Sequence, residues 1–174
     1  MLASTVMAVR VIGLVVVTNA ALVREVAIPV GAMAVAGLIA GAVLFLRSRK
    51  EGANAENVEF ANPFEISSAL KFGVVFTIVL LASKFATTTW GHKGTYIAAL
   101  LAGGTDVDAI TLSLSRFALD PKEAAIGIFL ACASNTLVKA GIALAIGGWA
   151  FGWRLAATFA GMIAAGAATL LFLR

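Results

Sequence analysis

Gly103-Gly104-Thr105-Asp106-Val107-Asp108-Ala109-Ile110-Thr111-Leu112-Ser113 puts two carboxylates and a row of hydroxyls directly after the apolar run Tyr96-Ile97-Ala98-Ala99-Leu100-Leu101-Ala102. Ionisable groups within the depth of a membrane are expensive, so such a segment is first read as a site. The glycine pair lets a helix break, and Thr105 or Asp106 can cap the half-helix that follows. Carboxylates at a broken helix near the bilayer midplane are one way transporters hold a cation. The same residues would also serve a plainer purpose, capping a helix that restarts near the interface.

The membrane setting follows from composition. The chain of 174 residues is 61% hydrophobic and 13% charged, with a mean hydropathy of +1.00. That is far more apolar than a soluble core requires, and the charges sit in short patches between long apolar runs. The fold class is therefore all-α, a polytopic transmembrane helical bundle of about six spans forming a single domain over residues 1–174. The net charge of +4 bears on topology in such a chain, and no nucleic-acid partner is expected. A single Cys132 excludes an internal disulfide and fits no zinc spacing, while the lone His92 lies in a loop. No cofactor is expected, no metal is assigned, and no hydrolase constellation appears, so the chain is not read as an enzyme.

In order, the spans are expected at about 2–23, 29–46, 63–88, 95–117, 121–147 and 154–174. Pro29 opens the second as a first helical residue, and Gly37-Leu38-Ile39-Ala40-Gly41 within it is a small-residue packing stripe. A polar loop over 48–62 follows. Asn62-Pro63-Phe64-Glu65 and Asp120-Pro121-Lys122-Glu123 both read as N-cap, first-turn proline and capping-box glutamate. The box is a sufficient structural reason for Glu65. The fourth segment is broken or re-entrant because of its polar centre. Arg47, Arg49, Lys50, Arg116, Lys122 and Arg174 collect on one side, against Arg24, Lys84, Lys93 and Arg154 on the other. This six-to-four bias places both termini in the cytoplasm of a bacterial inner membrane.

Residues 1–47 and 131–174 resemble each other. Ala36-Gly37-Leu38-Ile39-Ala40 matches Ala160-Gly161-Met162-Ile163-Ala164, and Leu44-Phe45-Leu46-Arg47 matches Leu171-Phe172-Leu173-Arg174, with Arg10 falling opposite Lys139. The internal repeat is incomplete: a Gly-Thr-Asp-Val-Asp helix precedes the second unit and has no counterpart before the first. The chain is accordingly expected to be a fragment or to work with a partner.

At Asn62-Pro63-Phe64-Glu65, at Asp106 to Ser113 and at Ser134-Asn135-Thr136-Leu137-Val138-Lys139 the chain resembles an uncharacterised bacterial integral-membrane domain of unknown function, often attached to an MgtC/SapB-type membrane domain. The resemblance covers nearly the whole chain. It implies extra N-terminal helices in other members, one of them Ser/Thr-rich, and an association with magnesium homeostasis or ion transport. It implies no role for any single residue.

At 100° per residue, Asp108, Thr111 and Ser115 share one helix face, while Asp106 lies roughly opposite. Hard oxygen donors of this kind suit magnesium, calcium, sodium or a proton. Two carboxylates are few for a dehydrated divalent ion; a hydrated magnesium ion or a proton needs fewer ligands. Asn135 and Lys139 lie one turn apart in the fifth segment. A buried lysine needs a partner, and Asp108 is the expected one, with Asp106 nearer the helix cap. The candidate ion-binding set is Asp106, Asp108, Thr111, Ser115, Asn135 and Lys139, and its expected cargo is a cation, magnesium or proton-coupled. Two rivals stand beside it: a buried Asp–Lys pair that only fixes helix register, and a non-transporting membrane subunit packed against a partner. The expected partners are the bilayer and either a second copy or a membrane subunit.

Overall fold

The computed structural model describes residues 2–50, 66–117 and 120–171, and among these every regular element is helical. Helix α1 (Leu2–Thr18) ends at Asn19, whose N–H still reaches the Val15 carbonyl at 2.8 Å. A single 3₁₀ turn, Ala20–Leu22, swings the chain into α2 (Val23–Lys50). The second helix thus begins six residues before Pro29, which sits inside it and removes one ladder hydrogen bond. Helix α3 (Ile66–Thr105) is interrupted at Gly91, whose φ of 53° and ψ of −128° are open to glycine and strained for other residues. Helix α4 (Val107–Phe117) follows after the single non-helical residue Asp106, and α5 covers Pro121–Leu170.

α5 is a hairpin of two limbs, Pro121–Ala145 and Gly152–Leu170. A side chain added at Gly152 would lie 2.7 Å from the Leu144 Cα, whereas eight residues of straight helix span about 12 Å. Further along, Gly166 meets Phe129, so the limbs run antiparallel. α1 and α2 make the corresponding hairpin, with Gly37 against Thr5. The core lies between the two hairpins and is filled by Val11, Val15, Val26, Val30, Met33, Ile128, Phe129 and Cys132. Glycines let α2 approach the second limb of α5. Gly37 faces Met162, and Gly166 faces Met33 and the Pro29 carbonyl.

Three stretches are long and apolar enough to cross a membrane: Ala20–Leu46, Pro121–Ala145 and Gly152–Leu170. α1 is apolar but shorter. The fourth expected span is not one continuous helix: α3 ends at Thr105 and α4 begins at Val107. Ala99 of α3 and Leu114 of α4 both flank Gly127, so the chain turns back at Asp106. Each arm of that turn, from Thr95 to Thr105 and from Val107 to Phe117, is about 16 Å long, half of a hydrocarbon core of about 30 Å.

That reversal bears on how far apart the two ends of the described chain lie. Asn19 reaches Ser115, close to Gly127, while Met7 meets Lys139. α1 therefore runs antiparallel to the first limb of α5. Ala3 and the Lys50 end of α2 lie at one end of the bundle, and Pro121 and Leu171 at the other. The Asn62 to Glu65 capping motif and most of the 48–62 loop lie outside the described residues.

Candidate functional site

The turn at Asp106 is built from local chemistry. The Asp106 N–H continues α3 by bonding the Ala102 carbonyl at 2.7 Å, and Thr105 Oγ1 donates to the same carbonyl at 2.9 Å. Asp106 Oδ1 accepts from the Asp108 and Ala109 N–H groups at 2.9 and 3.2 Å. This is an N-cap: one carboxylate oxygen satisfies two donors of the first turn of α4 and opposes the positive end of the helix dipole. Asp120 does the same for α5 through the Lys122 N–H at 3.0 Å.

The first limb of α5 holds the turn from the side. Ser134 Oγ donates to the Leu100 carbonyl at 2.6 Å, and Asn135 Nδ2 donates to the Gly103 carbonyl at 3.2 Å. Gly103 lies directly on the Ala131 backbone, and any Cβ there would collide with it. By helical rise, Ala131 to Val138 lies about 15–25 Å beyond Pro121, so the turn rests against the middle of that limb. Asn135 thus spends its amide on an orphan helix-end carbonyl, a partner that sequence spacing could not assign.

Asp108 points to α1, where its carboxylate forms an ion pair with Arg10. This differs from the expected Asp108–Lys139 pair. Arg10 sits midway along α1, which runs parallel to α4, so the two charges share a depth. Lys139 lies further along α5 and is half-buried, with Nζ 3.6 Å from the Met7 sulfur, a weak acceptor. Thr111 and Ser115, on the Asp108 face of α4, are both buried, and their hydroxyls have no hydrogen-bond partner. Ser4 Oγ is in the same condition. An unsatisfied buried hydroxyl costs about 1–3 kcal/mol, so such groups mark places where a polar guest would be stabilised.

The structure thus brings Asp106, Asp108 and Asn135 together at the turn, adds Arg10, and sets Thr111 and Ser115 below Asp108. Lys139 forms no ion pair with either carboxylate. Among the described residues there is no group of three or more His, Cys, Asp or Glu side chains that could hold a metal ion. Arg10 was visible in the sequence as a basic residue inside an apolar helix; its partner was hidden because 98 positions separate it from Asp108.

A family model described as a domain of unknown function, DUF4010, matches residues 1–147. An uncharacterised protein of Aquifex aeolicus (strain VF5) is 35% identical over 108 residues, which are 60% of this chain and 47% of that relative. The chain thus spans about half the length of the curated relative it matches. No solved structure matches it.

Proposed function

The chain belongs to the DUF4010 family, and on that footing we propose that it is an ion-translocating membrane domain whose working element is the hairpin turning at Asp106. One observation carries this reading: a helix end, a helix start and the Arg10–Asp108 ion pair all lie at mid-depth of the bundle. Charged groups placed there cost about 2.5–3.5 kcal/mol each by insertion scales, which is why ionisable residues at that depth are read first as a functional site. In the bilayer the hairpin would be re-entrant, giving five crossings and one half-entering segment.

The donor set narrows the cargo. Asp106 is committed to capping, Asn135 to Gly103, and Asp108 to Arg10. A divalent metal would have to displace all three, so the magnesium association of MgtC/SapB-type domains gains little from this site. A proton needs only Asp108. Protonation would neutralise the carboxylate and free Arg10, loosening the contact between α1 and α4 while the buried hydroxyls of Thr111 and Ser115 line the way.

Residues 1–47 and 131–174 are, in this reading, an inverted repeat. α1 runs against the first limb of α5 and α2 against its second limb. Counterpart helices also touch near, though not at, counterpart residues: Lys139 meets Met7, one turn from its counterpart Arg10, and Gly37 meets Met162, beside its counterpart Gly161. Repeats of opposite direction around a midplane site are a common transporter plan.

Purified protein in proteoliposomes should dissipate an imposed pH gradient, and Asp108→Asn should abolish this, while Ser113→Ala on the outer face of α4 should not. Absence of flux for protons and for a panel of cations would sink the transport reading in favour of a packing subunit. Topology gives a second test, in a Cys132→Ala background. Cysteines placed at Asn54 and Leu171 should react with an impermeant reagent from opposite sides of the membrane. Labelling of both from one side would mean that the fourth segment crosses fully.

A further inference from the structure

The described helices treat their buried hydroxyls in two ways. Thr136, fully buried, donates to the Cys132 carbonyl four residues back, as Thr18 does to Leu14 and Thr158 to Arg154. That back-bond is how a helix satisfies a threonine or serine from within. Thr111 and Ser115 are 0% and 3% exposed, yet neither hydroxyl has a partner in the protein, its own helix included. The enclosing helices offer no other side chain. The contacts of Asp108 with Arg10 and of Asn19 with Ser115 set α4 beside the α1 stretch from Arg10 to Asn19, while Leu114 packs on Gly127 of α5. From Val11 to Val17 on α1, and from Ala124 to Ala131 on α5, there is no polar side chain. Ser4, the third unpaired hydroxyl, lies at the far end of α1.

Two unpaired hydroxyls one turn apart, on the face that carries Asp108, call for a small polar guest. By helical rise Thr111 lies about 4.5 Å from Asp108 along the axis, and Ser115 about 6 Å further. Asp108 does not itself bond Thr111. A hydrogen bond between oxygens spans about 2.8 Å, so each gap suits one water. Each such water has two protein partners, within the two to four that buried waters make. We propose that Thr111 and Ser115 hold a file of internal water molecules that joins Asp108 to the Asn19 end of the bundle. On the transport reading above, on which this step rests, the file is the route by which the Asp108 proton comes and goes. A proton leaving the carboxyl is taken by the first water, and each hydroxyl accepts one proton as it passes its own on. The carboxylate is left charged, the file returns to neutral, and one proton emerges beside Asn19. That residue is exposed and donates to the Ser115 carbonyl at 3.1 Å. Access to Asp108 is thereby from the side that holds Pro121.

Water-edited solid-state NMR of the full chain in liposomes tests the file directly. The side-chain signals of Thr111 and Ser115 should build up from water clearly faster than that of Thr136, which is as deeply buried but bonded to a carbonyl. Build-up as slow as that of Thr136 would overturn the proposal. A second measurement uses the chain in mild detergent. Thr111→Val removes the hydroxyl at nearly constant shape, and with a water bonded there the unfolding midpoint should fall by about 2–4 °C. An unchanged or raised midpoint would mean a dry, unpaired hydroxyl whose loss is a relief, and would count against the file. In proteoliposomes, Thr111→Val and Ser115→Ala should each slow proton flux by about tenfold, while Thr111→Ser should keep most of it. Full flux in both hydroxyl-free variants would take the file off the proton's route. The first two readouts need no flux, so wet hydroxyls in a chain that moves no protons would sink the transport reading alone, and dry hydroxyls in a chain that does would sink this one alone.

Discussion

Replacing Gly103 with alanine should be the most damaging conservative change in the described part of the chain. A Cβ at this position would fall on the Ala131 backbone, 2.6 Å from its carbonyl oxygen and closer still to its Cα. Neither helix can relieve that overlap by turning a side chain, so α3 must move off α5. The Asn135–Gly103 and Ser134–Leu100 hydrogen bonds would go with it. Overpacking typically costs about 1–3 kcal/mol, and a backbone collision with loss of two polar contacts belongs at the top of that range. Gly127→Ala provides the contrast. Its Cβ would meet Leu114 Cδ1 at 2.7 Å, the end of a side chain with other rotamers, and should cost about 1 kcal/mol or less. Thermal unfolding in a mild detergent measures both. Equal losses at the two glycines would mean that the turn does not rest on Ala131.

A double-mutant cycle on Arg10 and Asp108 should give the largest coupling among the charged groups. Removing one partner of a buried pair costs about 3–5 kcal/mol because the other is left uncompensated. The Arg10 side chain is 68% uncovered by protein and that of Asp108 26%, which lowers the expected single-mutant cost to about 2–3 kcal/mol. Arg10→Met and Asp108→Asn should each destabilise by that amount, and the double variant should recover most of it. Lys139→Met combined with Asp108→Asn should show additive effects, since the structure pairs Asp108 elsewhere. Coupling to Lys139 rather than Arg10 would restore the pairing expected from sequence and refute the arrangement of α1 against α4.

The sequence marks the positions of these features better than their relations. Gly103-Gly104-Thr105-Asp106 marks a helix end and a new cap, and both lie where expected, as does the Asp120 cap. The angle between the two helices is not written there, because a glycine-rich stop permits many directions and the choice falls to packing against Ala131. Hence a broken span and a turned-back hairpin look alike in sequence. Asp108, Thr111 and Ser115 were legible as one face from their spacing alone. The partner of Asp108 was not, since Lys139 is near in sequence, whereas Arg10 becomes a neighbour only once α1 lies alongside α4. Depth along the helices did not decide it: Lys139 stands about 27 Å up its limb by helical rise, close beyond the stretch against which the turn lies, so the choice of partner falls to which helix Asp108 faces.

The opposite direction of the α1–α2 and α5 hairpins bears on how the chain enters the bilayer during synthesis. The orienting force comes from basic residues retained on one side. Where two units point opposite ways, a basic residue in a shared position of both pulls equally in each direction. The basic ends of α2 and of the second limb of α5, Arg47 and Arg174 in sequence, are such a pair. Their contributions cancel, and the handedness of insertion is left to the other charges, Arg49, Lys50 and Arg154 towards one end against Arg24, Lys93, Arg116 and Lys122 towards the other. A chain so nearly balanced should be open to inversion by one or two engineered lysines, a sensitivity that a bundle of parallel units would not share.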